Sequence, residues 1–214
     1  MAPPELPLTR DRIVATAEDV LRRFGPEKAT VVDVARALGV SHAAVYRYVK
    51  TKAELRDLVV QRWVDEMMPP LRALVERPGP APKRLRQLFD TLIAVKRRRA
   101  AADPELFLAY RSLSTEAQSI AAAHLDELVQ LGAVIIHSGV EEGTFRRVDP
   151  LAASRAIFFA TSRFHHPAHA MEWTNPKLDG VYDDVWRILM EGLSVPKDFH
   201  VAKRRSNYSA DAPT

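Results

Sequence analysis

The chain has 214 residues, 47% of them apolar and 27% charged, a net charge of +4 and no cysteine. That length suits one large domain or two small ones, with apolar material for a core in each. The missing cysteines exclude disulfides, thiolate nucleophiles and cysteine zinc sites and fit a reducing cytoplasm. The opening Met1-Ala2-Pro3-Pro4-Glu5 lacks the basic and apolar regions of a signal peptide. Apolar runs such as 133–136 and 156–160 fall far short of the roughly 20 residues of a membrane span, so no membrane partner is expected.

In chain order the dominant period is helical. Ile13, Ala17, Val20, Leu21 and Phe24 share one helix face, and Gly25-Pro26 stops that helix. Thr30 with Asp33 reads as a capping box for a short helix through Leu38, which Gly39 ends. Ser41 caps a third helix, on which Val45 and Val49 share a face. Thr51-Lys52-Ala53-Glu54 is a second capping box, opening a helix striped by Leu55, Leu58, Val59 and Trp63. Two consecutive helices here are shorter than the common length of about 11–12 residues.

Pro69-Pro70 and residues 78–82 break the chain. Leu85, Leu88, Phe89, Leu92 and Val95 predict a helix ended by the cations Lys96 to Arg99, read as a solvated terminus that suits the helix dipole. Asp103-Pro104 and Asp149-Pro150 each combine an N-cap with a first-turn proline. Thr115-Glu116-Ala117-Gln118 predicts a cap before a long helix carrying Ile120, His124, Leu128, Leu131 and Ile135 on one side. The helix from 149 is expected to reach Phe164 and stop by Pro167, and Val181, Val185, Ile188 and Leu189 mark the last one. No alternating strand and no repeat is visible. The expected fold is all-α, about nine helices, with an N-terminal helix-turn-helix and a C-terminal helical bundle.

Function concentrates in residues 38–50. A short helix, a tight glycine turn and a second short helix form a helix-turn-helix, whose second helix enters the DNA major groove. Between Gly39 and Ala53 stand three cations and no carboxylate, as suits a surface that approaches phosphates. With Val45 and Val49 inward, His42, Ala43, Ala44, Tyr46 and Arg47 point outward. The small alanines allow contact with a thymine methyl, and Arg47 can reach guanine or phosphate. Tyr46 and Tyr48 can donate to phosphate oxygens. Lys52 lies in the first turn of the next helix, a position that already favours an anion.

Residues 9–63 closely resemble the N-terminal domain of the TetR family of transcriptional regulators. The likeness runs through Arg12-Ile13, Ala17, Leu21 and Phe24-Gly25. It continues through residues 29–35 and 38–41, then Val45-Tyr46-Arg47-Tyr48-Val49 and 51–55. It implies phosphate contacts at Tyr46, Tyr48 and Lys52, base reading by His42, Ala43 and Arg47, and backbone contacts at Thr30, with Ser41 and Ala44 in the same interface. Many members carry Phe where Val49 stands, and Gly, Thr or Asn where Ala44 stands. The resemblance also implies that the following bundle holds a dimer interface and a pocket for a small-molecule effector.

The resulting organisation is a disordered N-terminus at 1–8, a helix-turn-helix DNA-binding domain at 9–63, a helical effector-binding and dimerisation domain at 64–196, and a polar tail at 197–214. Pocket candidates are Trp63, Met67, Phe89, Phe107, Tyr110 and Phe158, with Arg111 as a polar anchor; each can equally be plain core. Ile157, Phe164, Trp186, Leu189 and Leu193 are candidates for the dimer interface, because aromatic-rich apolar patches are typical of interface cores. The expected protein is a homodimeric, ligand-responsive regulator, most simply a repressor. It would bind double-stranded DNA at a near-palindromic operator, without catalytic residues, cofactor or metal. His165, His166 and His169 leave open a metal-dependent hydrolase, and a helical protein adaptor is the other alternative.

Overall fold

The computed structural model describes residues 7–196. The expected segment 1–8 therefore lies outside the described residues except for Pro7 and Leu8, and the tail 197–214 lies wholly outside them. The described residues form eleven α-helices: α1 Arg10–Lys28, α2 Val31–Leu38, α3 His42–Tyr46, α4 Lys52–Met67, α5 Pro69–Val75, α6 Ala81–Ala102, α7 Pro104–Glu116, α8 Gln118–Glu141, α9 Pro150–Ala160, α10 Ser162–His165 and α11 Leu178–Leu193. A 3-10 helix, Pro167–Glu172, lies between α10 and α11, and the only extended pairing among the described residues is an isolated bridge between Phe145 and Ser194. The described residues fall into two compact units, one running up to Pro70 with Ala94–Glu127 and the other Leu71–Ile93 with the residues from Leu128 onward, so α6 and α8 contribute to both.

In the first unit α1 packs on α2, α4 and α7, α2 packs on α3, and α4 packs on α7. Ile13, Val34, Ala35, Val45 and Val59 close its core. The helix starts follow the sequence signals. The hydroxyls of Thr9, Thr30, Ser41 and Thr51 each accept from a backbone N–H in the first turn, satisfying donors the helix leaves free. Gly25 breaks α1 at a φ of 75°, and Gly39 ends α2 in the left-handed region, where a side chain would be strained. Asp103 has two tasks: one carboxylate oxygen accepts from Leu106 N at 3.1 Å to cap α7, and the other receives Arg22 of α1 at 2.7 Å.

In the second unit α8 and α9 approach closely. Ser154 Oγ donates to the Val129 carbonyl at 2.8 Å, and a Cβ on Gly132 would stand 2.3 Å from that hydroxyl. A Cβ on Gly139 would stand 2.1 Å from the buried ring of Phe145 and 2.9 Å from Ala81. Phe89, Phe158 and Trp186 pack together, with ring centroids 4.6 Å and 5.3 Å from that of Phe89. Gly139→Ala is expected to lower unfolding stability by about 1–3 kcal/mol, because the buried ring has to leave its place. Urea unfolding should show a lower midpoint at unchanged slope.

Several sequence expectations need correction. Helix α6 does not end at the cations 96–99 but continues to Ala102, and Lys96 is buried instead of solvated. Periodicity had placed Phe24 inward; it is 45% exposed, with the Arg23 guanidinium 5.2 Å over its ring, since a helical period does not say where a neighbouring helix ends. Thr115 does not cap α8; its hydroxyl donates to the Ser112 carbonyl inside α7. Helix α3 stops at Tyr46, though Val49 is still fully buried beyond it. Pro69-Pro70 starts α5, proline being tolerated where no N–H is needed. The helix from Pro150 breaks at Thr161, whose hydroxyl donates to the Ile157 carbonyl at 2.8 Å. Helix α8, finally, is long and apolar enough to cross a membrane by length and composition, with a mean hydropathy of 1.4. Its Gly132 and Gly139 lie in tight contact with Ser154 and Phe145, and 39% of that apolar window is buried within the chain.

Candidate nucleic-acid interface

The N-terminal sequence builds a small scaffold with one polar rim. Val45 and Val49 are completely buried, which fixes the rotation of α3 and turns the rest of that helix outward. His42, Ala43, Tyr46, Arg47, Tyr48 and Lys50 are all exposed, and Ala44 is half-buried. The structure therefore brings the proposed base-reading positions, His42, Ala43 and Arg47, onto one exposed segment.

The flanking groups are held by local hydrogen bonds. Thr30 caps α2 through a complete capping box: Asp33 N donates to the Thr30 hydroxyl at 3.2 Å, and Thr30 N donates to the Asp33 carboxylate at 3.1 Å. The hydroxyl of Thr30 also donates to that carboxylate, which holds the Asp33 pKa below the usual range. Ser41 Oγ accepts from Ala44 N at 3.2 Å. Tyr48 OH donates to the Leu8 carbonyl at 2.8 Å, and Lys52 Nζ donates to the Glu27 carbonyl at 3.1 Å. Both donors are thus already positioned along one rim, on carbonyl acceptors that a phosphate can replace; Lys52 has two further N–H groups to offer.

The sequence pattern makes Glu54 the reciprocal half of a capping box. Thr51 does accept from Glu54 N, but the Glu54 carboxylate accepts instead from Lys50 N at 2.7 Å and from Arg10 at 3.1 Å. Arg10 and Lys50 are exposed cations on this rim that the sequence reading did not single out as site residues. The signal for Lys50 was available, as one of the three cations in the acid-free run; the pairing of Arg10 with Glu54 joins positions 44 apart and had none.

The pocket candidates fall into two groups. Trp63, Met67, Phe107, Tyr110 and Arg111 belong to the first unit, Phe89 and Phe158 to the second. Trp63 stacks on Tyr110 at 3.7 Å, and Arg99 lies 5.0 Å over Trp63 while donating to its carbonyl. Trp63 and Phe107, with Arg22, Arg99 and Asp103, border a cleft of about 230 Å3 in the first unit. Of the dimer candidates, Ile157, Phe164, Trp186 and Leu193 are buried within the chain, and Leu189 is half-buried. The exposed large apolar side chains of α9 and α11 are Phe159, Val181 and Ile188. Among the histidines, His165 is buried with its ring 3.3 Å from the Thr161 hydroxyl, and His169 pairs with Glu172 at 3.3 Å. Among the described residues no group of three His, Asp or Glu side chains could hold a metal ion.

Two family models match the chain. Residues 13–59 match that of bacterial regulatory proteins of the tetR family, and residues 81–186 that of the tetracyclin repressor-like C-terminal domain. The chain belongs to the TetR family. It is accordingly a member of a family of transcriptional regulators with a DNA-binding helix-turn-helix, and that family is not one of enzymes. Solved structures of the same fold include the fatty acid degradation regulator FadR from Bacillus halodurans, 20% identical over 89% of this chain and 96% of that one, at a TM-score of 0.64. FadR from Bacillus subtilis in complex with stearoyl-CoA is 17% identical over 86% and 99%, at 0.62. A TetR/AcrR-family regulator from Thermobifida fusca is 23% identical over 86% and 97%, at 0.61. No curated protein sequence matches the chain.

Proposed function

We propose that this TetR-family protein is a cytoplasmic, ligand-responsive repressor that binds a near-palindromic operator as a homodimer. The carrying observation is the acid-free exposed segment from His42 to Lys50, anchored by the fully buried Val45 and Val49. A domain at 9–63 reads the DNA, and residues 64–196 serve effector and partner. His42, Ala43, Ala44 and Arg47 meet base edges, while Thr30, Ser41, Tyr46, Tyr48, Lys50 and Lys52 meet the backbone. Exposed Phe159, Val181 and Ile188 on α9 and α11 favour a helical interface between two copies, which places two recognition helices about 34 Å apart on one DNA face.

The link from effector to DNA runs through α7. Arg22 of α1 pairs with Asp103, and Arg56 of α4 pairs with Glu116, at the two ends of that helix. Movement of α7 on ligand binding would thus carry α1 and α4 with it, provided the ligand binds the two states with different affinity. Stearoyl-CoA in the Bacillus subtilis FadR supports a small-molecule effector as such.

Selection from random duplex DNA tests the reading by giving half-site, spacing and symmetry together; no enrichment at low salt would overturn it. Lys52→Ala should weaken binding to all sequences and flatten the salt slope by about 1. Arg47→Ala should change sequence preference by ~1–3 kcal/mol at one position; a uniform loss would make Arg47 a phosphate contact only.

A further inference from the structure

The cleft of about 230 Å3 bordered by Trp63 and Phe107 lies wholly within the first unit. Helices α1, α4, α6 and α7 line it, together with Asp103. Its apolar members are Trp63, Leu106 and Phe107. Its charged members are three carboxylates, Glu18, Glu66 and Asp103, against two guanidiniums, Arg22 and Arg99. Both guanidiniums are already committed. Arg22 donates to Asp103 at 2.7 Å and also to Asp19, and Arg99 donates to Glu66 and to the Trp63 carbonyl at 2.8 Å. Glu18 is the carboxylate left over. Its side chain is 16% exposed, and its one ion pair among the described residues is with Arg62 Nε at 3.5 Å, longer than the roughly 2.7–3.2 Å of a hydrogen bond. That nitrogen is closer to Glu66, at 3.0 Å. Burial accordingly lifts the Glu18 pKa above the usual carboxylate value, more than Arg62 lowers it.

We propose that this cleft is an effector site for a small organic monocation, an ammonium group on an apolar body, with Glu18 as its counter-charge. This rests on the ligand-responsive reading above and names a ligand class and a place for it. An ammonium N–H supplies the hydrogen bond that the Glu18 carboxylate lacks, and the apolar body lies against Leu106 and Phe107. An anion finds both guanidiniums occupied. A bare metal ion needs several converging oxygens, and among the described residues no group of three His, Asp or Glu side chains could hold one. An occupant touches α1, α4 and α7 at once, beside the Arg22–Asp103 pair that joins α1 to α7, and so favours one arrangement of α1 over another.

The full chain is titrated by calorimetry with phenethylammonium, its neutral counterpart phenethyl alcohol and the anion hydrocinnamate, all at one ionic strength. Wild type should bind the cation alone and gain several degrees in Tm with it. Glu105→Gln, which removes an exposed carboxylate of α7 outside the cleft, should behave alike. Glu18→Gln keeps the shape of the side chain and should bind the cation about tenfold more weakly, the loss of one charge-assisted hydrogen bond. Ala102→Trp fills the cleft from an exposed position of its lining and should abolish binding. Equal cation affinity in wild type and Glu18→Gln, unchanged affinity in Ala102→Trp, equal binding of all three compounds, or no binding to wild type each overturns the site. Duplex DNA binding by wild type is measured with and without the cation. A cation that occupies the cleft and leaves DNA affinity unchanged overturns its role as effector. Salt-dependent DNA binding without the cation confines any such failure to the cleft; no DNA binding at low salt takes the regulator reading with it.

Discussion

Val45→Asp is expected to abolish DNA binding and to lower stability by more than about 4 kcal/mol. Val45 is 0% exposed and is the only fully buried side chain within α3. An aspartate there removes apolar contacts and puts an unpaired carboxylate in the core, two of the mechanisms behind the largest single-residue losses. Val45→Ala, which only removes methyl groups, should cost about 2 kcal/mol and leave weakened binding. Ala43→Asp supplies the contrast. Ala43 is exposed, so its stability should stay within about 0.5 kcal/mol of wild type, while the new carboxylate repels DNA. Urea unfolding with duplex binding on the same samples checks all three. Unimpaired binding by both Val45→Asp and Ala43→Asp would remove α3 from the interface.

Acid should destabilise the protein through His124 before the carboxylates titrate. In the fold burial, and then the charge of Lys96, hold its pKa at about 3, against an ordinary value of 6.5. Above pH 6.5 the imidazole is neutral in both states and contributes no penalty. Below it the unfolded chain takes up a proton that the folded chain refuses, so stability falls with pH until about pH 3, where both are protonated. The span corresponds to a loss on the order of 5 kcal/mol. Lys96 acts at the other end: its lowered pKa makes stability rise from about pH 8 to 10.5, as the unfolded chain alone retains the proton. His124→Leu should flatten the limb between pH 6.5 and 3, and the difference between wild type and variant isolates this group from other titrations. Parallel curves would mean that the ring is hydrated in solution.

Helix starts were the most legible part of the fold. Thr30, Ser41, Thr51, Asp103 and Asp149 announce their caps because the group that satisfies each free N–H lies two or three residues away, within reach of sequence pattern. Helix ends were less legible. Helix α6 runs through its four cations and the Pro150 helix breaks at Thr161, decided by packing along the helix and a single hydroxyl. The recognition segment was readable because two valines four apart orient all its other side chains.

What the sequence alone determined was local: an all-helical chain, the rotation of α3, and an acid-free run between Gly39 and Ala53 carrying Arg47, Lys50 and Lys52. These depend on contacts within a few residues or on a period of 3.6. Tertiary structure alone decided which apolar and charged side chains are covered. Ile157, Phe164 and Trp186 face the chain's own core while Phe159, Val181 and Ile188 remain exposed, and Lys96, one of four consecutive cations, is buried. Burial is set by helices distant in sequence, and the period of a single helix cannot reveal which neighbour, if any, covers a given face.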